Sequence, residues 1–171
     1  MSKLLERLRK CEDDRGMMAN LRCVLVESKK HRAWPVLHRL GVPIRDSVAV
    51  FIAGLFAAHP EEDPAAGNFG STCKSIERKR KDRPTEDNKL TPTERRFQHL
   101  LTADTEEELH DRILRMVLMA KSEGVAVNYT KLETDLRYAR AGRLSDRVKT
   151  DWAEAFWTSG TSTDEEAERS I

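Results

Sequence analysis

Residues 91–101 read Thr91-Pro92-Thr93-Glu94-Arg95-Arg96-Phe97-Gln98-His99-Leu100-Leu101. The Thr91 hydroxyl can accept the backbone N–H three residues on, and Glu94 sits where it can reach back. Proline takes the first helical position, where its missing N–H costs nothing. Phe97, Leu100 and Leu101 then form the buried edge. The pattern repeats downstream. Thr105-Glu106-Glu107-Glu108 is a second capping box, with acids at the positive end of the helix dipole. Its helix carries Leu109, Ile113, Met116, Val117 and Ala120, and Gly124 ends it. Val125 and Val127 lead to a helix starting near Asn128, with Leu132 and Leu136 inside and a break at Gly142. A last helix from about Ser145 spaces Val148, Trp152 and Phe156 four residues apart.

Reading towards the N-terminus gives the same period. Leu4, Leu5, Leu8 and Cys11 recur at helical spacing. Asp14 is placed to cap a helix bearing Met17, Met18, Leu21, Val24 and Leu25. Trp34-Pro35 opens a short helix that Gly41 and Pro43 end. Asp46 caps a fourth, whose face of Val48, Phe51, Ile52, Leu55 and Phe56 is apolar enough to centre an N-terminal bundle. Residues 59–70 read as a loop rich in Pro, Gly, Ala and acid. A fifth helix is expected from Ser71, with Cys73 and Ile76 inward. It runs into Arg78-Lys79-Arg80-Lys81-Asp82-Arg83 and stops at Pro84. Strand signals are nearly absent. The expected fold is all-α, with two small helical-bundle subdomains, 1–83 and 91–157, joined by a charged linker at 84–90. Residues 158–171, Ser/Thr-rich and then acidic, are expected to be a disordered tail.

Composition narrows the function classes. The 171 residues carry 30 Lys+Arg against 29 Asp+Glu, a net charge of +1. The chain is therefore no polycation, and any attraction for nucleic acid needs arginines gathered on one face. Charged residues make up 35% and hydrophobic ones 39%, which suits thin helical layers with solvated outer faces. No apolar run of membrane length and no signal-peptide pattern is present, so a cytoplasmic protein without a membrane partner is expected. Cys11, Cys23 and Cys73 are odd in number and widely spaced, and read as reduced thiols. His31, His38, His59, His99 and His110 lack metal-ligand spacing, so neither metal nor cofactor is expected. Gly67-Asn68-Phe69-Gly70 lacks the lysine and preceding strand of a phosphate loop. No catalytic constellation accompanies the arginines, and the chain reads as a binding surface rather than an enzyme.

An ordered series of short motifs is more specific than any one of them. In the second half it comprises Glu94-Arg95-Arg96-Phe97 with Leu100-Leu101, Val127-Asn128-Tyr129 with Leu132, Asp135-Leu136, and Val148 with Asp151-Trp152 and Phe156. The first half adds Asp14-Arg15-Gly16, Ala19, Leu21-Arg22, Ala33-Trp34-Pro35, Leu37, Gly41, Phe56-Ala57 and Gly67-Asn68-Phe69-Gly70. This series, over roughly residues 10–157, resembles CasB, the small-subunit family of the type I-E CRISPR surveillance complex Cascade. The run at 78–83 and the acidic tail are not part of the resemblance. It implies an all-helical, two-subdomain, non-catalytic protein acting in antiviral defence. The implied partners are guide RNA, target and single-stranded DNA, the backbone and large subunits, and a second copy of the chain. The implied work is to position guide and target and to stabilise the displaced strand of the R-loop.

The candidate contacts to nucleic acid are Arg15, Arg22, Lys29, Lys30, Arg32, Lys74, Arg78, Arg95, Arg96, Arg137, Arg140 and Arg147. Arginine suits a displaced strand because it is always charged, forks onto phosphate oxygens and stacks on bases. Each candidate has a competing reading. Arg15 and Arg22 share a helix face, but Glu12 or Asp13 would neutralise Arg15. Arg95 and Arg96 diverge by about 100° on a helix, so one can bind while the other makes a salt bridge. Arg137 and Arg140 do nothing for an isolated helix, yet Asp135 or a distant carboxylate would satisfy either. Lys29, Lys30 and Arg32 fall between helices as solvated charge. Trp34, Trp152 and Trp157 fit a core role better than stacking platforms, with Trp157 the one suspected of an interface. The alternative for the whole molecule is a helical adaptor whose arginines serve protein interfaces.

Overall fold

The computed structural model describes residues 3–80, 89–139 and 142–157. Among these, nine α-helices follow one another: α1 (Lys3–Lys10), α2 (Arg15–Arg22), α3 (Trp34–Arg39), α4 (Ser47–Ala58), α5 (Phe69–Arg80), α6 (Pro92–Leu101), α7 (Glu106–Glu123), α8 (Tyr129–Arg137) and α9 (Asp146–Trp157). The fold is all-α. No described helix is long and apolar enough to cross a membrane. The Pro84 stop, most of the 84–90 linker and the 158–171 tail lie outside the described residues.

The helix starts obey the local chemistry. Side-chain oxygens of Asp14, Asp46, Thr91, Thr105 and Asn128 each accept the backbone N–H three residues on. Each such cap is worth about 1 kcal/mol. Gly124 closes α7 in the left-handed region at φ 67°. Three boundaries depart from the sequence reading. The α2 helix ends at Arg22, and Val24 and Leu25 belong to a 3-10 turn, Cys23–Leu25. A second 3-10 segment, Glu27–Ala33, carries the lysines assigned to a loop. The fifth helix begins at Phe69 rather than Ser71, because the Asn68 carboxamide accepts the Ser71 N–H.

Buried apolar side chains from Leu4 to Phe156 form one connected core. Its axis is α4, in which every residue from Phe51 to Ala58 is buried. A helix apolar all round needs neighbours on every side. It packs against α1, α2, α7, α8 and the Cys23–Leu25 turn, so it serves helices from both halves of the chain. The other long contact is α5 on α9. Gly70 makes it possible, since a Cβ there would lie 2.0 Å from the Trp152 carbonyl oxygen.

Polar groups inside this core are matched. Trp152 Nε1 donates to the buried Asp135 carboxylate at 2.8 Å, and Lys131 pairs with the same carboxylate at 3.1 Å. His59 Nε2 donates to the Val125 carbonyl at 2.7 Å. Burial pushes the Tyr129 phenol well above its ordinary range, and its hydroxyl donates to His59 and Leu55 carbonyls. The 59–70 segment is stitched down: Glu62 and Val127 form a parallel bridge, and Asn128 Nδ2 donates to the Pro64 and Gly67 carbonyls.

Candidate nucleic-acid interface

Arg15 and Arg22 stand seven residues apart on α2, hence nearly on one line along the helix. Both open into a shallow concavity floored by Met18, Ala57, Ala58 and Pro60, with Lys121 of α7 on its far wall. Glu12 is the one carboxylate on the rim. Neither Arg15, Arg22 nor Lys121 makes an ion pair among the described residues. The expected competitor, neutralisation of Arg15 by Glu12 or Asp13, is therefore not realised. Asp14 spends its side chain on the Met17 N–H instead.

Lys121 lies in the last turn of α7, and further cations reach that turn from two other helices. Lys79 Nζ of α5 donates to the Gly124 carbonyl at 3.4 Å, and Arg80 lies 4.0 Å from Glu123. Arg96 of α6 points its guanidinium at Met119 Sδ, 3.7 Å away. The negative end of a helix dipole attracts such groups. The consequence is a collar of cations around one end of α7, in which Lys121 also stands and Glu123 faces Arg80. Arg95 and Arg78 are exposed on α6 and α5. Lys74 is half-buried one turn before Arg78. Burial, then the Arg78 charge, lowers its pKa.

Of the remaining candidates, Arg137 and Lys30 are ion-paired within the chain. Arg137 forms a two-pronged pair with Asp46, at 3.1 and 3.0 Å, and also meets Glu133 at 3.6 Å. The hydrogen bond from Arg137 holds the Asp46 carboxyl below its usual range, and Asp46 raises Arg137 in turn. The distant carboxylate weighed for Arg137 is thus Asp46, which also caps α4. Arg140 lies outside the described residues. Lys30 pairs with Glu27 at 2.7 Å, while Lys29 and Arg32 are exposed on the same 3-10 segment. Arg147 stacks 5.4 Å from the centre of the exposed Tyr138 ring. Trp152 is core, but Trp34 and Trp157 are exposed by 41% and 44%; the Trp157 ring rests edge-on against Phe97 and Phe156.

Sequence reasoning missed Lys121, because nothing local ties a lone lysine near a helix end to α2. It also missed a second cationic notch, where Arg7, Lys10 and Arg39 meet around Leu40 and Gly41. There the Arg7 guanidinium donates to the Leu40 carbonyl at 2.8 Å, and Gly41 at φ 69° leaves room for it. Burial pushes the Cys73 and Cys11 thiols up, away from the thiolate. Among the described residues no three His, Cys, Asp or Glu side chains gather as metal ligands.

The profile of the family described as CRISPR-associated protein Cse2 matches residues 7–157. No curated protein matches the sequence significantly. Solved structures do. A CRISPR-associated protein of the Cse2 family from Thermus thermophilus superposes with a TM-score of 0.67 at 17% identity, covering 90% of this chain and 95% of that one. CasB of M. ruber gives 0.63 at 20% identity, covering 99% of each chain. A structure of CasB from Thermus thermophilus gives 0.64 at 18%, covering 90% and 95%. At such identities the superpositions speak for the shared fold.

Proposed function

Because the chain belongs to the Cse2 family of CRISPR-associated proteins, we propose that it is a non-catalytic small subunit of a type I-E RNA-guided surveillance complex, and that its α2–α7 concavity grips a sugar–phosphate chain. The observation that carries the reading is the convergence of Arg15, Arg22 and Lys121, unpaired among the described residues, on one concave surface. Three cations face a groove whose one carboxylate, Glu12, pairs with none of them, and a phosphate chain supplies counter-charge there. Lys79 and Arg96 extend the attraction around the end of α7. Shallow, mobile positive charge suits backbone contact without base readout, which is what guide, target and displaced strand all offer.

The mechanism is one of balance. Opening an R-loop exchanges one duplex for another of similar stability, so a few backbone contacts to the displaced strand tip it. Four contacts to a single strand give a salt slope of about −3, and a fourfold rise in salt then weakens binding roughly fifty-fold. A net charge of +1 is compatible with this, since local charge sets the attraction. Within an assembly, effective concentration makes modest intrinsic affinity sufficient.

Reconstitution with the triple variant Arg15→Ala/Arg22→Ala/Lys121→Ala separates this reading from the adaptor alternative. The expected result is a complex of normal size whose R-loop opening is slowed at physiological salt. Loss of the subunit from the complex would assign these residues to a protein interface. Normal assembly with normal R-loop opening would contradict a grip at this surface.

A further inference from the structure

The face at the opposite end of α7 has a different chemistry. A groove of about 790 Å³ runs between the N-terminal half of α7 and the Cys23–Leu25 turn. Its floor is Val24, Leu25, Phe51 and Leu114, and His110 lies flat on Phe51 with ring centres 3.8 Å apart. Val24, Leu25 and Leu114 are only half-buried. One turn beyond, Leu118 is 46% exposed. The rim carries five carboxylates: Glu27, Glu106, Glu107, Glu108 and Asp111. Lys30, Arg112 and Arg115 offset three of them. Among the described residues, Glu106 accepts the Ser47 hydroxyl and Glu107 makes no ion pair.

The acids alone have an ordinary explanation, because the first turn of a helix favours negative charge. The apolar floor does not share it. A chain with 35% charged residues had polar alternatives for a solvent-facing strip. An apolar strip edged by excess negative charge repels phosphate and complements a helix that is apolar on one face and cationic on its flanks. We propose that this groove docks a cationic amphipathic helix of a neighbouring protein subunit. The α7 helix then separates two partners: nucleic acid at its C-terminal end, and protein at its N-terminal end, roughly 21 Å away along the axis at 1.5 Å per residue. The proposal rests on the groove's own chemistry and stands whether or not the α2 concavity binds nucleic acid.

The probe is a fluorescein-labelled, 14-residue helical peptide with leucine on one face and lysine elsewhere, titrated with the full-length protein; the control peptide replaces lysine with glutamate. The leucine–lysine peptide is expected to bind and the control not. Glu106→Gln/Glu107→Gln, which removes the two rim carboxylates without an ion pair among the described residues, should weaken binding about fivefold, from two rim pairs at exposed-pair strength. Leu114→Ser should weaken it about tenfold, from the lost apolar burial. Glu61→Gln/Asp151→Asn, which removes two acids outside the groove, should leave binding unchanged, and circular dichroism checks that each variant keeps its helicity. Equal weakening by both acid pairs, or no response to Leu114→Ser in a folded variant, would reduce the effect to general charge attraction and overturn the proposal. So would failure of the peptide to bind.

Discussion

Arg137 and Arg15 carry the same side chain and end in opposite roles. Arg137 faces a carboxylate that is already fixed at the start of α4, so its charge is consumed inside the molecule. Arg15 has a neighbour of the right sign, Asp14, whose side chain is turned to the α2 backbone. The first case sets a pH dependence. The Asp46 pKa is depressed in the folded state by the Arg137 hydrogen bond. The pair's stabilisation is therefore fully present above the unfolded carboxyl value of about 3.9, and is lost as pH falls through the lower folded value. Arg137→Met should lower the urea midpoint at pH 6 but narrow its difference from wild type at pH 2.5. It should leave single-stranded DNA binding intact; a large loss of binding in a folded protein would return Arg137 to the interface. Spacing made the shared face of Arg15 and Arg22 legible in the sequence. The Asp46 partner was not, because 91 residues separate it from Arg137.

At the scale of elements, what is local was legible and what is tertiary was not. Asp14, Asp46, Thr91, Thr105 and Asn128 cap their helices because a short oxygen three residues before a free N–H needs no other part of the fold. The α5 helix begins inside the stretch that reads as loop, because Gly70 is not a breaker here but a contact. Gly70→Ala puts a methyl group against the Trp152 carbonyl, a backbone atom that cannot swing aside. It should cost about 1–3 kcal/mol, the range for overpacking, read as a lower urea midpoint with unchanged slope. A stability equal to wild type would mean that α5 and α9 can part freely. Asn128 is a second test. Its carboxamide caps α8 through one atom and ties Pro64 and Gly67 through another. Asn128→Ala should cost about 3 kcal/mol, one cap plus about two further hydrogen bonds, while Asn128→Ser keeps an oxygen for the cap and restores part of the loss. Failure of Ser to restore anything would assign the effect to the loop alone.

For the whole molecule, the core is continuous around α4 and the charge is not spread evenly around it. A total of +1 hides a collar of cations at one end of α7 and an acidic, apolar groove at the other. Sequence composition could show only the cancellation. The ordered motifs pointed to the family, and the fold then separated Arg137, held by carboxylates, from Arg15 and Arg22, which open onto the concavity. The most direct measurement is the salt dependence of labelled single-stranded DNA binding by the full chain, wild type against Arg15→Ala/Arg22→Ala/Lys121→Ala, by fluorescence anisotropy. Each phosphate contact to a single strand contributes about 0.7 to the slope of log affinity on log salt, so three lost contacts should make it shallower by about 2. An unchanged slope and affinity in a variant of unaltered helicity would contradict the grip.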